Sequence, residues 1–135
     1  MSCLVFDTSG LSRFLDEEEP ITATVIDPSW TKRLIPLSAD AELRFGFKYG
    51  NRERQNQEKY DKAREFFSLR ITMPDQQTAI LYAELATWCR QHGKSLSDND
   101  LWIAATAVQH GGQLLTTDKD FAALPQVRLA NLSAI

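Results

Sequence analysis

Cys3-Leu4-Val5-Phe6-Asp7-Thr8-Ser9-Gly10 decides the fold. Its first four residues are apolar, the pattern of a strand buried on both faces, and the rest are polar or glycine, the pattern of a turn. Asp7 therefore stands where a strand stops. Gln113-Leu114-Leu115-Thr116-Thr117 shows the same arrangement near the other end of the chain, with Asp118 directly after it. Two more strands are expected at 33–37, where Pro36 is tolerable at a strand end, and at 71–73; residues 127–129 offer a fifth.

Between these runs the spacing of apolar residues is helical. Leu11, Phe14 and Leu15 predict a first helix, closed by the acidic run at 16–19 and by Pro20. The β-branched residues 21–26 leave a strand, a loop and an irregular helix all open. Ser38 is expected to cap a helix over 39–48, and a second follows the Gly50-Asn51 break, over 52–69. Gly46 inside the first of these signals either a close backbone neighbour or a helix interruption. Leu81, Leu85 and Trp88 share one stripe of a helix over 76–92 that exits at Gly93. Ser97-Asp98-Asn99-Asp100 opens another over 101–110, ended by Gly111-Gly112, and residues 118–123 predict a turn and short helix. Strands alternating with helices imply a parallel sheet covered on both faces, in which the two most apolar strands, the first and fourth, are adjacent and central. There is no internal repeat.

Composition fits one soluble domain over residues 1–135. The chain has 43% apolar and 24% charged residues and a net charge of −3, close to globular averages. No apolar run approaches the roughly 20 residues that span a bilayer, and the N-terminal segment reads as a core strand, not as a signal peptide. Cys3 and Cys89, without clustered histidines, make neither a zinc site nor a disulfide framework and are expected as buried free thiols of a cytoplasmic protein. The acidic balance disfavours a general polyanion binder, but charge is uneven. Residues 1–30 carry one basic and six acidic side chains, whereas residues 44–65 carry seven basic and four acidic ones. Within that stretch Arg44, Lys48, Arg52 and Arg54 are candidate phosphate contacts; a solvated helix with pairs such as Glu58 and Lys62 is the competing reading.

Asp7, Glu42, Asp100 and Asp118 each fall where a strand ends or a helix begins, the edge at which open α/β sheets bind ligands. Each has an innocent explanation: Asp7 as a helix cap, Asp100 as the partner in a Ser97-x-x-Asp100 capping box, Glu42 as a residue favoured by the helix dipole, and nearby Asp120 as another cap. Their conjunction carries more. Glu42 lies in an apolar stretch and Asp100 adjoins Leu101-Trp102-Ile103, so both are expected to lean inward. Like charges about 4 Å apart repel by roughly 1 kcal/mol in water and about 4 kcal/mol at an effective dielectric of 20. A cation relieves that cost. Hard oxygen donors without Cys or His select Mg²⁺ or Mn²⁺, and such a metal suits phosphodiester hydrolysis. His92 and His110 fall in last helical turns, where dipole contacts or surface placement are expected, and no phosphate-binding glycine loop, nucleophile elbow or dinucleotide fingerprint is present.

Four blocks carry a family resemblance: Leu4-Val5-Phe6-Asp7-Thr8-Ser9, Ser38-Ala39-Asp40-Ala41-Glu42-Leu43-Arg44-Phe45-Gly46, Asp98-Asn99-Asp100-Leu101-Trp102-Ile103-Ala104-Ala105 and Leu115-Thr116-Thr117-Asp118-Lys119-Asp120-Phe121. In order and spacing they resemble the PIN-domain ribonucleases, and among these the VapC-like toxins of bacterial toxin–antitoxin pairs. The resemblance implies a three-layer α/β/α fold with a central parallel sheet of four to five strands and Mg²⁺- or Mn²⁺-dependent endoribonuclease activity. Asp7, Glu42, Asp100 and Asp118 take the family's acidic positions, with metal held mainly by Asp7, Asp100 and Asp118. Thr8 and Thr116 match supporting hydroxyls, and Asp98 and Asp120 are neighbours that bind through water or cap helices. An RNA substrate, a small antitoxin partner and a homodimer are also implied. The departure lies between Asp16 and Lys32, where the family carries an amphipathic helix and this chain has Glu17-Glu18-Glu19-Pro20 and a β-branched run. Two rivals remain. A receiver-like phosphoacceptor module would need an acidic pair after the first strand, an Asp after the third and a Lys after the fifth, a set that this sequence lacks. A catalytically silent PIN-like regulator would bind partners only.

Overall fold

Residues 2–132 are described by a computed structural model; Met1 and residues 133–135 of the expected domain lie outside them. β1 (Cys3–Phe6) is buried throughout. It lies in the middle of a five-stranded sheet with β2 (Lys32–Pro36), β3 (Leu69–Thr72), β4 (Gln113–Leu115) and β5 (Arg128–Leu129), in the order β3-β2-β1-β4-β5. All four pairings are parallel. β1 and β4 are adjacent, as their apolar character predicted. This order also differs from the 2-1-3-4-5 order of receiver modules, so the receiver-like reading falls.

The chain runs β1 to β2 to β3 in one direction across the sheet and then returns to β4. Right-handed crossovers therefore put α1 (Thr8–Leu15), α2 (Ile21–Ile26), α3 (Leu37–Tyr49) and α4 (Glu53–Phe66) over one face, and α5 (Gln76–Gln91) and α6 (Asp98–Gln109) over the other. The result is the expected three-layer α/β/α architecture. No helix among the described residues is long and apolar enough to cross a membrane. Cys3 and Cys89 are buried and free.

Several boundaries move, each for a local reason. Ser38 does not cap α3. The helix starts at Leu37 with Pro36 as its N-cap residue, because the proline ring fixes a backbone angle that leads into a helix, and the Ser38 hydroxyl is left buried without a partner. β3 begins at Leu69, two residues before the expected strand, because Ser68 adopts a left-handed conformation with φ 55° that ends the preceding helix. β4 stops at Leu115, since Thr116 and Thr117 exchange ladder bonds for the side-chain bonds described below. Gly93, with φ 65°, provides the expected exit from α5, and the Lys94 N–H bonds back to the Cys89 carbonyl at 2.9 Å.

The open segment 21–26 is a helix. Its β-branched composition disfavours that state, but tertiary bonds satisfy its ends. The Glu19 carboxylate accepts from the Ala23 N–H at 2.8 Å. At the other end the Trp30 indole donates to the Thr24 carbonyl and the Arg33 guanidinium to the Val25 carbonyl, both at 2.7 Å. Ile21 and Val25 fill the core. Gly46 meets neither expectation, since α3 continues through it and a Cβ there would touch nothing within 4 Å.

Candidate active site

The strand order turns back on either side of β1, so the loops after β1 and β4 leave the sheet edge in opposite directions and open a crevice between them. Asp7 follows β1 and Asp118 lies shortly after β4. Gly10 makes the approach possible: a Cβ there would collide with the Leu115 carbonyl, so the first turn of α1 sits directly on the end of β4.

Asp7 is 3% exposed and caps α1. Its Oδ1 accepts from the Gly10 N–H at 2.7 Å and the Ser9 hydroxyl at 2.8 Å, and its Oδ2 accepts from the Thr116 hydroxyl. The Thr116 oxygen in turn accepts from the Asp118 N–H at 2.9 Å, and the Ser9 oxygen from the Thr117 N–H at 3.1 Å. The two loops are thus stitched together around one carboxylate. Ser9 was not among the expected site residues; the Asp7-x-Ser9 spacing, which lets a hydroxyl reach a carboxylate two residues back, is the local signal that could have found its bond to Asp7.

Glu42 is half-buried on α3 and accepts a hydrogen bond from the Thr8 hydroxyl at 2.7 Å. Asp100 sits in the first turn of α6, below the Ser97 cap, and is half-buried. Asp118 caps the 3-10 turn Lys119–Ala123 by accepting from the Asp120 N–H at 2.9 Å.

The electrostatics join the four elements. Burial pushes the Asp7 carboxyl above its usual range, against the bonds from Thr116, Gly10 and Ser9, and the charge of Asp118 adds to the rise. Burial likewise pushes Asp100 up, followed by repulsion from Asp118, Glu42 and Asp7. None of the four acids forms an ion pair with Lys or Arg among the described residues. A group of hard oxygens, with Asp7 buried and Glu42, Asp100 and Asp118 half-buried, that lacks paired positive charge suits a divalent cation by charge and by donor type. As placed, no three His, Cys, Asp or Glu side chains among the described residues are close enough to grip an ion between them. Asp7, Glu42 and Asp118 are instead turned to their own donors.

The remaining candidates lie further out. Asp98 is exposed and accepts from the Tyr82 hydroxyl at 2.8 Å, and Asp120 is exposed beyond its capped N–H. Arg44 is held by buried Asp40 through two 2.9 Å bonds; Lys48 pairs with Glu53 at 2.9 Å; Arg52 and Arg54 are exposed at the start of α4. The basic side chain lining the cleft beside the acids is Lys59. His92 is exposed with its ring stacked on Trp88, and His110 ends α6.

Comparison with known proteins bears on the family and the fold. The sequence model of the PIN domain matches residues 4–127. Ribonuclease VapC2 of Rickettsia felis is 33% identical over 94 residues, covering 67% of each chain; across the curated relatives it matches, the chain spans between 37% and 67% of their length. Among solved structures, VapBC2 of Rickettsia felis bound to a promoter DNA fragment superposes with a TM-score of 0.85 at 24% identity, covering 97% of this chain and 99% of that one. VapBC-5 of Mycobacterium tuberculosis, a member of the VapBC family of toxin–antitoxin systems, gives 0.74 at 26% identity, covering 97% and 99%. With the family model covering nearly all of the described residues and the acids of its motifs gathered at one sheet edge, the chain belongs to the PIN-domain family.

Proposed function

We propose that this chain is the toxin of a toxin–antitoxin pair and acts in the cytoplasm as a Mg²⁺- or Mn²⁺-dependent endoribonuclease. The observation that carries the reading is geometric: the Thr116 hydroxyl bridges Asp7 and the Asp118 N–H where β1 and β4 end, the Thr8 hydroxyl next to Asp7 holds Glu42, and none of these acids nor Asp100 is paired with Lys or Arg among the described residues. The names of its relatives add the substrate class. Asp7, Asp100 and Asp118 would hold the metal. A divalent cation there supplies acidity to water and positive charge to a phosphodiester in its transition state. Glu42, steered by Thr8, orients the attacking water and takes its proton. Thr116 and Ser9 fix the rotamer of Asp7, and the basic residues of α3 and α4, Arg44, Lys48, Arg52 and Arg54 among them, meet the RNA backbone.

Two partners belong to this reading. A small antitoxin is supported by the toxin–antitoxin complexes with the same fold. A second copy of the chain is supported by exposed Leu37, Phe45 and Tyr49 on α3. The experiment is cleavage of total RNA with Mg²⁺ or Mn²⁺, in which the wild type cuts and Asp7→Asn and Asp100→Asn do not. Equal cutting by the variants, or undiminished cutting by the wild type in excess chelator, rejects the reading.

A further inference from the structure

We propose that the cleft between α1, α3 and α4 is a nucleotide subsite, seating the RNA residue next to the phosphate that is cut. This rests on the ribonuclease reading and adds to it the place where the substrate is gripped. The cleft has a volume of about 360 Å³, within the usual range of about 300 to 1,000 Å³ for small-ligand sites. Thr8 and Glu42 form part of its wall, so a nucleotide lying there is continuous with a phosphodiester at the carboxylates.

Each of the three helices turns one face into it. α1 contributes Ser12, with Asp16 just past its C-terminal end, α3 contributes Gly46, and α4 contributes Asn56 and Lys59 one turn apart. Among the described residues, the side chains of Ser12, Asp16, Asn56 and Lys59 enter no hydrogen bond or ion pair. Polar groups that converge on a concavity without using one another are free to meet a ligand. Their chemistry suits a nucleotide: the Lys59 ammonium for a flanking phosphate, the Asn56 amide and Ser12 hydroxyl for both donors and acceptors on a base edge, and the Asp16 carboxylate for base N–H groups. Leu43 and Phe47 supply an apolar floor for the ring.

Gly46 completes the case. Glycine inside a helix costs about 1 kcal/mol relative to alanine, and here no neighbour requires it, since a Cβ would meet nothing within 4 Å. The space it leaves open belongs to the cleft. Stability alone gives no reason for a residue without a side chain at this point, whereas access for a planar base does.

The test uses two variants, Gly46→Leu, which fills the cleft, and Lys59→Ala, which removes its cation. Binding of a labelled single-stranded RNA of mixed sequence is measured with calcium in place of magnesium, alongside cleavage kinetics in magnesium. Both variants are expected to bind the RNA about threefold to tenfold more weakly and to raise KM in proportion, with kcat within about twofold of wild type, the pattern of a lost ground-state contact. Gly46→Leu should melt no lower than wild type, which separates a blocked cleft from a damaged fold. RNA binding equal to that of wild type in both variants overturns the proposal, as does loss of antitoxin binding alone, which would make the cleft a peptide groove. A wild type that fails to bind RNA at all also overturns it. If instead RNA binding falls in the variants while Asp7→Asn cuts as well as wild type, the subsite stands and the assignment of the carboxylates fails.

Discussion

The Thr8 hydroxyl donates to Glu42 Oε1 at 2.7 Å across 34 residues of chain. The bond ties the first turn of α1 to the second turn of α3 and fixes which way the glutamate faces. Thr8 touches no reacting atom in this scheme; it positions the residue that does. Thr8→Val, which keeps the shape but removes the donor, should cost about 0.5–1.5 kcal/mol of stability and lower kcat by about tenfold with little change in KM. Thr8→Ser should restore both. A kcat unchanged in Thr8→Val would separate Glu42 from the chemistry.

Asp7→Asn probes the carboxylate that both loops enclose. Asparagine caps helices as well as aspartate, and its amide keeps an oxygen for the Gly10 N–H, so the fold should remain. Cleavage should fall by at least about a hundredfold, the scale of losing a group used in the transition state. In thermal melts Mg²⁺ should raise the midpoint of the wild type, because a ligand that binds only the folded state stabilises it, and should raise that of Asp7→Asn or Asp100→Asn less. Equal metal-induced shifts in all three proteins would place the metal elsewhere.

The raised carboxyls of Asp7 and Asp100 fix a sign for pH dependence. In the folded state these groups hold protons that the unfolded chain has already released. Their contribution to stability is therefore fully present below the unfolded value, near 3.8, and is lost as pH rises through the higher folded values. In chelator, the stability of Asp100→Asn relative to wild type should grow with pH over this window and then level off. Asp27, Asp61 and Asp75, whose carboxyls are held low by hydrogen bonds, act oppositely below it, so the variant difference, not the raw curve, is the measurement. A difference that is flat with pH would mean that Asp100 does not feel its neighbours.

Away from the site, Tyr60 is fully buried and donates to Asp40 Oδ1 at 2.7 Å, while Arg44 and Arg64 lie over its ring at 5.6 and 4.8 Å. This cluster clasps α3 to α4. Tyr60→Phe leaves the buried Asp40 with one donor fewer and should destabilise by about 1.5–3 kcal/mol, the range for a hydrogen bond to a charged group, as read from the urea midpoint. A loss below about 0.5 kcal/mol would show that Arg44 alone satisfies Asp40.

What the sequence disclosed follows from where each determinant lies. The runs of β1 and β4 are buried on both faces, so apolar residues alone announced both strands and their adjacency. The acids could be placed because strand ends in a parallel sheet share one edge, whichever side chains fill the core. The helix at Ile21–Ile26 could not be read, because Trp30 and Arg33, outside the segment, satisfy its last carbonyls. The Ser38 cap failed for a related reason: Pro36 already set the backbone. Ser9 was overlooked because its role depends on Thr116 and Thr117, more than a hundred residues away in the chain. Charge pattern marked α4 as basic, but only packing shows that Lys59 faces the cleft while Arg44 is tied to Asp40.

Gly10 and Gly46 should respond to alanine with opposite signs. At Gly10 the added methyl would drive into the Leu115 carbonyl, and relief requires α1 to move off β4, carrying Asp7 with it. Gly10→Ala should therefore destabilise by about 1–3 kcal/mol, as overpacking does, and should also impair cleavage, because the bonds from Thr116 and Ser9 to Asp7 would lengthen. At Gly46 the helix already has its ordinary conformation and open space beside it. Gly46→Ala should stabilise by about 0.4–1 kcal/mol, mainly by restricting the unfolded chain. Urea denaturation of the two variants in chelator reads both effects. Destabilisation by Gly46→Ala would mean that something unseen packs against α3 there, and a neutral Gly10→Ala would mean that the crevice between β1 and β4 is more yielding than the contact of α1 with Leu115 requires.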